Sequence, residues 1–364
     1  MKDKRLLILE PYWGGSHSQF LVGLQQHIGA QCQVMSLPAR NWKMRMQLSA
    51  PWALACLRKL SPEQRRFDTV LCSTFMDVAV LRSLLTTLSG WNSTTRFCTY
   101  FHENQFAYPE QFGQGGNRQF AAINYTTALA SDRVAFNSRY NLETFLDGCN
   151  HYLKKSGEMG VQATSKEIQG KSMILSPGLD FSLIDQVAVS REQRSPVIVW
   201  NHRWEHDKNP EELFVALIEL KRQGIDFRLI VLGQGFSSEP QCFKEARILL
   251  ADRILHFGYV PSRQDYAELL KKGTIVVSTA RHEFFGVAVL EAVRAGCRPL
   301  LPDRLAYPEL FEGQYLYSKN SLIDSLGWLL RNDSGLDSDE LMQLTERFSW
   351  PMVRQDYKEW LFGA

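Results

Sequence analysis

Short apolar runs, each leading through a loop into a longer amphipathic stretch, recur along the whole chain and leave one architecture standing. Runs of about five residues are too short for buried helices, and strands that alternate with helices build a parallel sheet. The first half carries such strands near 6–9, 32–36, 68–72, 96–101, 132–136 and 171–175, with a glycine loop at 13–16 and a helix from 17 to 28. The rhythm restarts at Pro196, with strands near 197–201, 227–232, 253–257, 274–278 and 298–301. The expected fold is α/β with two Rossmann-like domains, residues 1–178 and 196–347. A polar linker, 179–195, joins them, and 348–364 forms a last helical segment containing a helix from Met352 to Leu361. Within the first domain, 150–171 is polar and weakly patterned and reads as a mobile insertion.

At 364 residues, 45% hydrophobic and 22% charged, the chain has the apolar content for two ordinary cores. No apolar run approaches the roughly 20 residues of a membrane span. Met1-Lys2-Asp3-Lys4-Arg5 leads into a short strand rather than a secretion signal, so the cytoplasm is the expected location. Seven cysteines, odd in number and without a C-x-x-C pair, argue against both a disulfide framework and a zinc site.

The net charge of +2 conceals an asymmetry, since residues 1–66 hold ten Lys or Arg against three acids. In Arg40-Asn41-Trp42-Lys43-Met44-Arg45, cations alternate with an aromatic. Such a composition pairs with phosphates and stacks on an unpaired base; a solvated basic edge is the plainer reading.

The chemistry concentrates around His282-Glu283-Phe284-Phe285-Gly286, with Glu291 eight residues after Glu283. Thr274 to Ser278 reads as a buried strand and Val287 to Ala295 as a helix, so the glutamates bracket a strand-to-helix turn. At about 1.5 Å of rise per residue they lie on the order of 12 Å apart, the span from a hexose across a diphosphate to a ribose. Between them the amides of Phe285, Gly286 and Val287 face a diphosphate with the positive end of the helix dipole behind them. Upstream, the strand Val197 to Asn201 runs into a loop carrying Arg203 and Lys208, and a helix begins near Pro210. Cations at the carboxyl end of a parallel strand sit where open sheets bind ligands. They stabilise a diphosphate leaving group as its charge grows in the transition state.

R-x4-K followed some eighty residues later by E-x7-E is the pattern of retaining glycosyltransferases of family 4, and the chain resembles them over most of its length. The surroundings narrow the resemblance. Trp13-Gly14-Gly15-Ser16-His17, Leu37-Pro38-Ala39-Arg40-Asn41-Trp42, Phe101-His102-Glu103-Asn104-Gln105, Phe136-Asn137-Ser138, His202 to Lys208 and His282 to Val287 look like the tRNA-queuosine alpha-mannosyltransferases. That resemblance implies the GT-B fold, with a catalytic cleft between the halves, a C-terminal helix crossing back to the first domain, and closure by hinge motion. It implies transfer of mannose from GDP-mannose to the cyclopentenediol of queuosine in the anticodon loop of an aspartate tRNA. It further implies that His102 approaches the transferred sugar, with Glu103 and Asn104 placing the acceptor. Phe284 stands where many family 4 enzymes have glycine, which puts sugar specificity in question.

Other candidates follow from position. Gly14-Gly15 after the first strand lets backbone approach the donor phosphate or acceptor closely, or else makes a plain turn. His17 contacts the acceptor or caps its helix. Asn137 and Ser138 end a strand and either bind sugar or phosphate or cap the next helix. Tyr259 and Val260, in a loop after a strand, are placed to read a purine edge through backbone groups, and Gly233 turns beside the nucleotide.

The expected reaction is retaining transfer by front-face attack within a short-lived ion pair, the departing diphosphate helping to deprotonate the acceptor hydroxyl. Arg203 and Lys208 hold the leaving group, Glu283 orients the sugar and Glu291 anchors the ribose. Arg40, Trp42, Lys43 and Arg45 meet the tRNA. No metal is expected, because the one D-x-D, Asp337-Ser338-Asp339, lies in a late polar stretch with no strand before it. Two other readings fit the same residues: a family 4 hexosyltransferase acting on a lipid or polysaccharide, and a non-catalytic RNA-binding protein that keeps the fold.

Overall fold

A computed structural model describes residues 3–108, 118–154, 157–188, 195–235, 240–319, 321–332 and 335–363. The chain divides into two compact units, residues 1–179 with 350–364, and residues 180–349. Lys155, Ser156 and the stretch 189–194 of the expected linker lie outside the described residues.

Unit 1 holds strands β1 (Arg5–Trp13), β2 (Gln31–Pro38), β3 (Thr69–Ser73), β4 (Arg96–Phe101), β5 (Arg133–Phe136) and β6 (Ser172–Ile174). They form one parallel sheet in the order β2-β1-β3-β4-β5-β6. The four apolar residues Leu6 to Leu9 explain how it is covered, because successive side chains of a strand face opposite sides. Leu6 and Ile8 pack with Phe20 and Leu24 of the helix Gly15–Ile28, while Leu7 and Leu9 pack with Ala50, Ala53 and Leu57 of the helix Trp42–Arg58.

The last helix, Trp350–Phe362, begins two residues before the expected start and belongs to unit 1. Its Trp350, Tyr357 and Trp360 join the cluster around Phe20 and Tyr100. Gly23 and Gly178 make room for the Trp350 indole, since a Cβ on either would lie 2.0 or 2.3 Å from it. Tyr357 donates to the Ser176 carbonyl at 2.9 Å.

Unit 2 repeats the plan with β7 (Val197–Asn201), β8 (Arg228–Leu232), β9 (Ile254–Gly258), β10 (Ile275–Val277), β11 (Arg298–Pro302) and β12 (Leu316–Tyr317), in the order β12-β11-β10-β7-β8-β9. All neighbours are parallel. β12 is an edge strand of two residues, too short to leave a pattern in the sequence.

Three expectations change. β1 does not end at Leu9 but continues to Trp13, paired with Pro38 beyond an irregularity, so the glycine loop shrinks to the residues around Gly14. The stretch 150–171 is not an insertion. It carries the end of the helix Arg139–Lys154 and the helix Thr164–Gly170, with Leu153 and Ile168 buried beside Phe145 and Cys149. This helix of about two turns is held by the buried Ile168 and by the Tyr125 and Thr164 hydroxyls, which meet at 2.6 Å. The region 179–195 also contains structure, the helix Ser182–Gln186, whose Asp185 grips Arg294 through two 2.7 Å bonds. All seven cysteines are free thiols, four of them buried.

Candidate active site

In each unit the chain reverses its direction of strand addition once, and ligands of open parallel sheets bind outside the strand carboxyl ends at such a point. The reversal lies between β1 and β3 in unit 1 and between β7 and β10 in unit 2. A cluster of polar side chains stands at each.

In unit 2 the loops after β7 and β10 bring Lys208 and Glu283 together, ammonium 3.2 Å from carboxylate. Lys208, 7% exposed, also donates to the His282 carbonyl at 2.7 Å and lies 3.2 Å from Asp207. Burial alone would favour the neutral amine, but Glu283 and Asp207 outweigh it and hold the Lys208 pKa above its ordinary value. Burial would likewise protonate Glu283; Lys208, His202 and the Phe285 amide prevail and hold its carboxyl at about 2. His202 and His282 flank the pair and are pushed down to about 4 by burial and by Lys208, so both rings are neutral near pH 7. The two loops are tied by the Arg281 amide donating to the Asp207 carbonyl at 2.8 Å and the Thr279 hydroxyl to the Lys208 carbonyl at 2.9 Å. Arg203 differs from Lys208: its side chain is 55% exposed and lies 3.1 Å from Glu205.

Gly286 caps the helix Val287–Arg294 in a left-handed conformation, φ 105°, and a Cβ there would press on the Tyr307 ring at 3.1 Å. The amides of Gly286 and Val287 open that helix, where no intrahelical carbonyl precedes them. The Phe285 amide points at Glu283, 3.4 Å away. Phe284 is buried with its ring edge-on to His282, centroids 4.6 Å apart. At the inner end of the same helix, Glu291 accepts from Arg263 at 3.0 Å and from the Tyr266 hydroxyl at 2.8 Å. Asn201, the last residue of β7, donates to Tyr266 at 3.1 Å and to the Ala288 carbonyl at 2.7 Å. Arg263 and Tyr266, from the helix Arg263–Lys272, and Asn201, from β7, carry no signal in the sequence because they meet Glu291 and its helix only in the fold.

Gly233 is a turn residue: φ is 147° and a Cβ would sit 1.9 Å from the His202 carbonyl oxygen, so glycine is needed for close backbone approach. Tyr259 is 60% exposed and Val260 partly exposed, in the loop after β9. Asp337 of the D-x-D caps the helix Ser338–Thr345 in a reciprocal capping box with Glu340, which accounts for its position without a metal.

In unit 1 the cluster centres on Glu10, which is fully buried. It accepts from the Tyr12 amide at 2.8 Å, the Ser73 hydroxyl at 3.0 Å and His17 Nδ1 at 3.1 Å. With Glu10 ionised, this contact places a proton on His17 Nδ1. The His17 ring lies 4.1 Å from that of His102, with Phe75 and Phe20 against the pair. Burial, then the neighbouring His17, push the His102 pKa well below the ordinary histidine value. Glu10 leaves one mark in the sequence, a lone acid directly after the four core residues Leu6 to Leu9.

His17 is not a helix cap, since the cap position is Gly14 and the His17 side chain turns inward to Glu10. Gly14 is extended, φ 179°, and closely faces Ala39, where a Cβ would lie 2.5 Å from the Ala39 Cβ; Gly15 takes φ 53° with open space beside it. Glu103 is partly buried next to His102. Asn104 does not present itself to a ligand: fully buried, it donates to Asn141 and Thr144 and accepts from the Phe106 and Ala107 amides. Asn137 is likewise occupied, donating to the His102 carbonyl at 2.7 Å and accepting from Asn141 at 2.8 Å. Ser138 accepts from the Asn141 amide at 3.0 Å, the bond of a helix cap. Asn104 and Asn137 thus spend side-chain amide bonds on scaffolding the His102 loop, and the Ser138 oxygen caps the helix Arg139–Lys154. Arg40 and Lys43 are exposed, while Trp42 and Arg45 are half-buried at the start of the helix Trp42–Arg58.

Residues 5–179 match the family described as tRNA-queuosine alpha-mannosyltransferase N-terminal, and residues 184–333 match glycosyl transferases group 1. A tRNA-queuosine alpha-mannosyltransferase of Drosophila melanogaster is 32% identical over 327 residues, 87% of this chain and 84% of that protein. A GDP-mannose:cellobiosyl-diphosphopolyprenol alpha-mannosyltransferase of Xanthomonas oryzae is 29% identical over 105 residues, 28% of this chain and 27% of its own. Among solved structures, Anabaena HepE in complex with UDP superposes with a TM-score of 0.68 at 14% identity, and Thermosynechococcus elongatus sucrose-phosphate synthase with 0.70 at 13%, each covering 98% of both chains. These likenesses give the GT-B fold. With both parts of the chain matched and the fly relative aligned over 84% of its length, the protein is a glycosyltransferase and belongs to the tRNA-queuosine alpha-mannosyltransferase family.

Proposed function

We propose that the chain transfers mannose from GDP-mannose, with retention, to the cyclopentenediol of queuosine in the anticodon loop of tRNA-Asp, in the cytoplasm. The observation that carries this reading is the buried Lys208–Glu283 pair beside the opening amides of the helix Val287–Arg294, in a chain 32% identical to a protein of that name. The Xanthomonas relative, a GDP-mannose-dependent transferase by name, supports GDP-mannose as the donor.

Lys208 is held charged and immobile by Glu283, Asp207 and the His282 carbonyl, so it meets the growing charge of the diphosphate without reorganising. Arg203, on the open side, adds a second cation. Glu283, ionised by the same pairing, accepts from mannose hydroxyls. Glu291 keeps acceptor capacity beyond its two bonds for a ribose hydroxyl, and Tyr259 and Val260 offer backbone groups to guanine. His102, neutral, and His17, held in place by the buried Glu10, receive sugar and diol hydroxyls. The sugar–phosphate bond breaks as the diol oxygen attacks from the same face, and the phosphate oxygen takes the hydroxyl proton. Two side-chain cations supply the positive charge, so the reading needs no metal, and turnover in excess chelator tests that. Among the described residues no helix is long and apolar enough to cross a membrane, and the acceptor proposed needs none.

Purified protein incubated with GDP-mannose and queuosine-containing tRNA, then digested to nucleosides and analysed by mass, should yield queuosine shifted by one hexose. Unmodified queuosine beside slow donor hydrolysis would retain the glycosyltransferase and remove the tRNA.

A further inference from the structure

The turn from β2 into the helix Trp42–Arg58 borders an open groove of about 460 Å³ that lies outside both switch-point clusters. Leu37, Met44, Leu48 and Trp52 line it, with Arg40 and Arg45 at the same wall. Asn41 creates the bend: it adopts φ 52°, a left-handed conformation open to asparagine at modest cost. Arg45 is anchored to the bend by its Nε donating to the Arg40 carbonyl at 3.4 Å, which holds the two basic residues together.

Met44 and Leu48, one helical turn apart, are each 53% exposed. Two large apolar side chains in water on one face, beside two arginines, ask for an occupant with a flat apolar body and a negative charge. An unpaired nucleotide has both: its base stacks on apolar and aromatic side chains and its phosphate pairs with arginine. The volume lies in the range of pockets that enclose a small organic molecule. A lipid surface fits less well, because membrane-lying helices carry a continuous apolar face, whereas Gln47 and Lys43 flank these two residues.

We infer that this groove is a nucleotide-binding subsite that takes an unpaired base of the RNA acceptor, distinct from the nucleotide being modified. The inference rests on the tRNA reading of the function. It makes the groove a reader of loop structure, where the surrounding cations supply only sequence-independent attraction.

The test uses the full chain and a synthetic anticodon stem-loop carrying a fluorescent purine analogue in its loop. Met44→Gln with Leu48→Gln preserves charge at exposed positions, and thermal unfolding checks that the variant folds. Wild type should alter the fluorescence, and the double variant should bind about tenfold more weakly with an unchanged salt slope, as loss of one stacked base predicts. Arg45→Ala should instead reduce the salt slope by about one. Equal binding by wild type and the Gln variant would overturn the subsite while leaving the tRNA reading intact. No binding of the stem-loop by wild type would overturn both. Binding of phosphatidylserine vesicles that depends on Met44 and Leu48, with RNA binding unaffected, would assign the groove to lipid.

Discussion

The two units solve the same topological problem with opposite electrostatics. In unit 2 the switch point is built from ions: Lys208 between two carboxylates, Arg263 on Glu291. In unit 1 it is built from hydrogen bonds around one carboxylate, Glu10, whose donors are an amide, a hydroxyl and an imidazole. Fixed charge suits a diphosphate, whose own charge grows as the reaction proceeds. Neutral donors and acceptors suit hydroxyls, which a strong field would not distinguish from water. The difference lies in which residues terminate otherwise equivalent strands.

The comparison breaks most visibly at Lys208. Lys208→Ala should lower turnover by about a hundredfold, the scale of losing one preorganised charge partner, and should destabilise unit 2 because Glu283 is left without its cation. Turnover within threefold of wild type would refute the role given to this pair.

Glu10→Gln should act more gently. It exchanges an acceptor for an amide that has to face at least one of three donors, costing about 1–3 kcal/mol of stability and about tenfold in turnover, with GDP-mannose binding held. A variant that instead loses GDP-mannose binding would move Glu10 into the donor site.

The smallest effect is read in acid. His202 and His282 titrate near 4 in the folded chain against an ordinary 6.5, and Glu283 near 2 against 4.5. All three bind fewer protons folded than unfolded, so stability is present above the ordinary values and falls as pH falls. The histidines contribute the loss from about pH 6.5 to 4, joined in unit 1 by His102, whose value is also depressed. Glu283 contributes the loss from about pH 4.5 to 2. Thermal midpoints of Glu283→Gln should therefore be flatter than wild type between about pH 4.5 and 2; an unchanged acid slope there would contradict the ionised pair.

Much of the architecture was written in local pattern. Apolar runs such as Leu6 to Leu9 and Val197 to Trp200 announce strands buried on both faces, and their alternation with helices announces parallel sheets. The charged half of the site was legible for a related reason: Lys208 and Glu283 stand in the loops that leave two buried strands, and a loop in that position lies at a carboxyl end. The short edge strand Leu316–Tyr317 and the small helix Thr164–Gly170 were not legible, since their stability comes from neighbours and not from periodicity.

By itself the sequence determined the α/β class, the two repeats and the residues able to handle a diphosphate sugar, because these depend on residue type and spacing along one strand or helix. Only the tertiary structure decided how those residues are used. It closed Asn104, Asn137 and Ser138 into the scaffold, joined Glu10 to His17, and supplied Glu291 with Arg263 and Tyr266. For Asn104 and Glu291 the hydrogen-bond partners come from elements 25 to 40 residues away, and partners distant in the chain leave no mark on the local pattern.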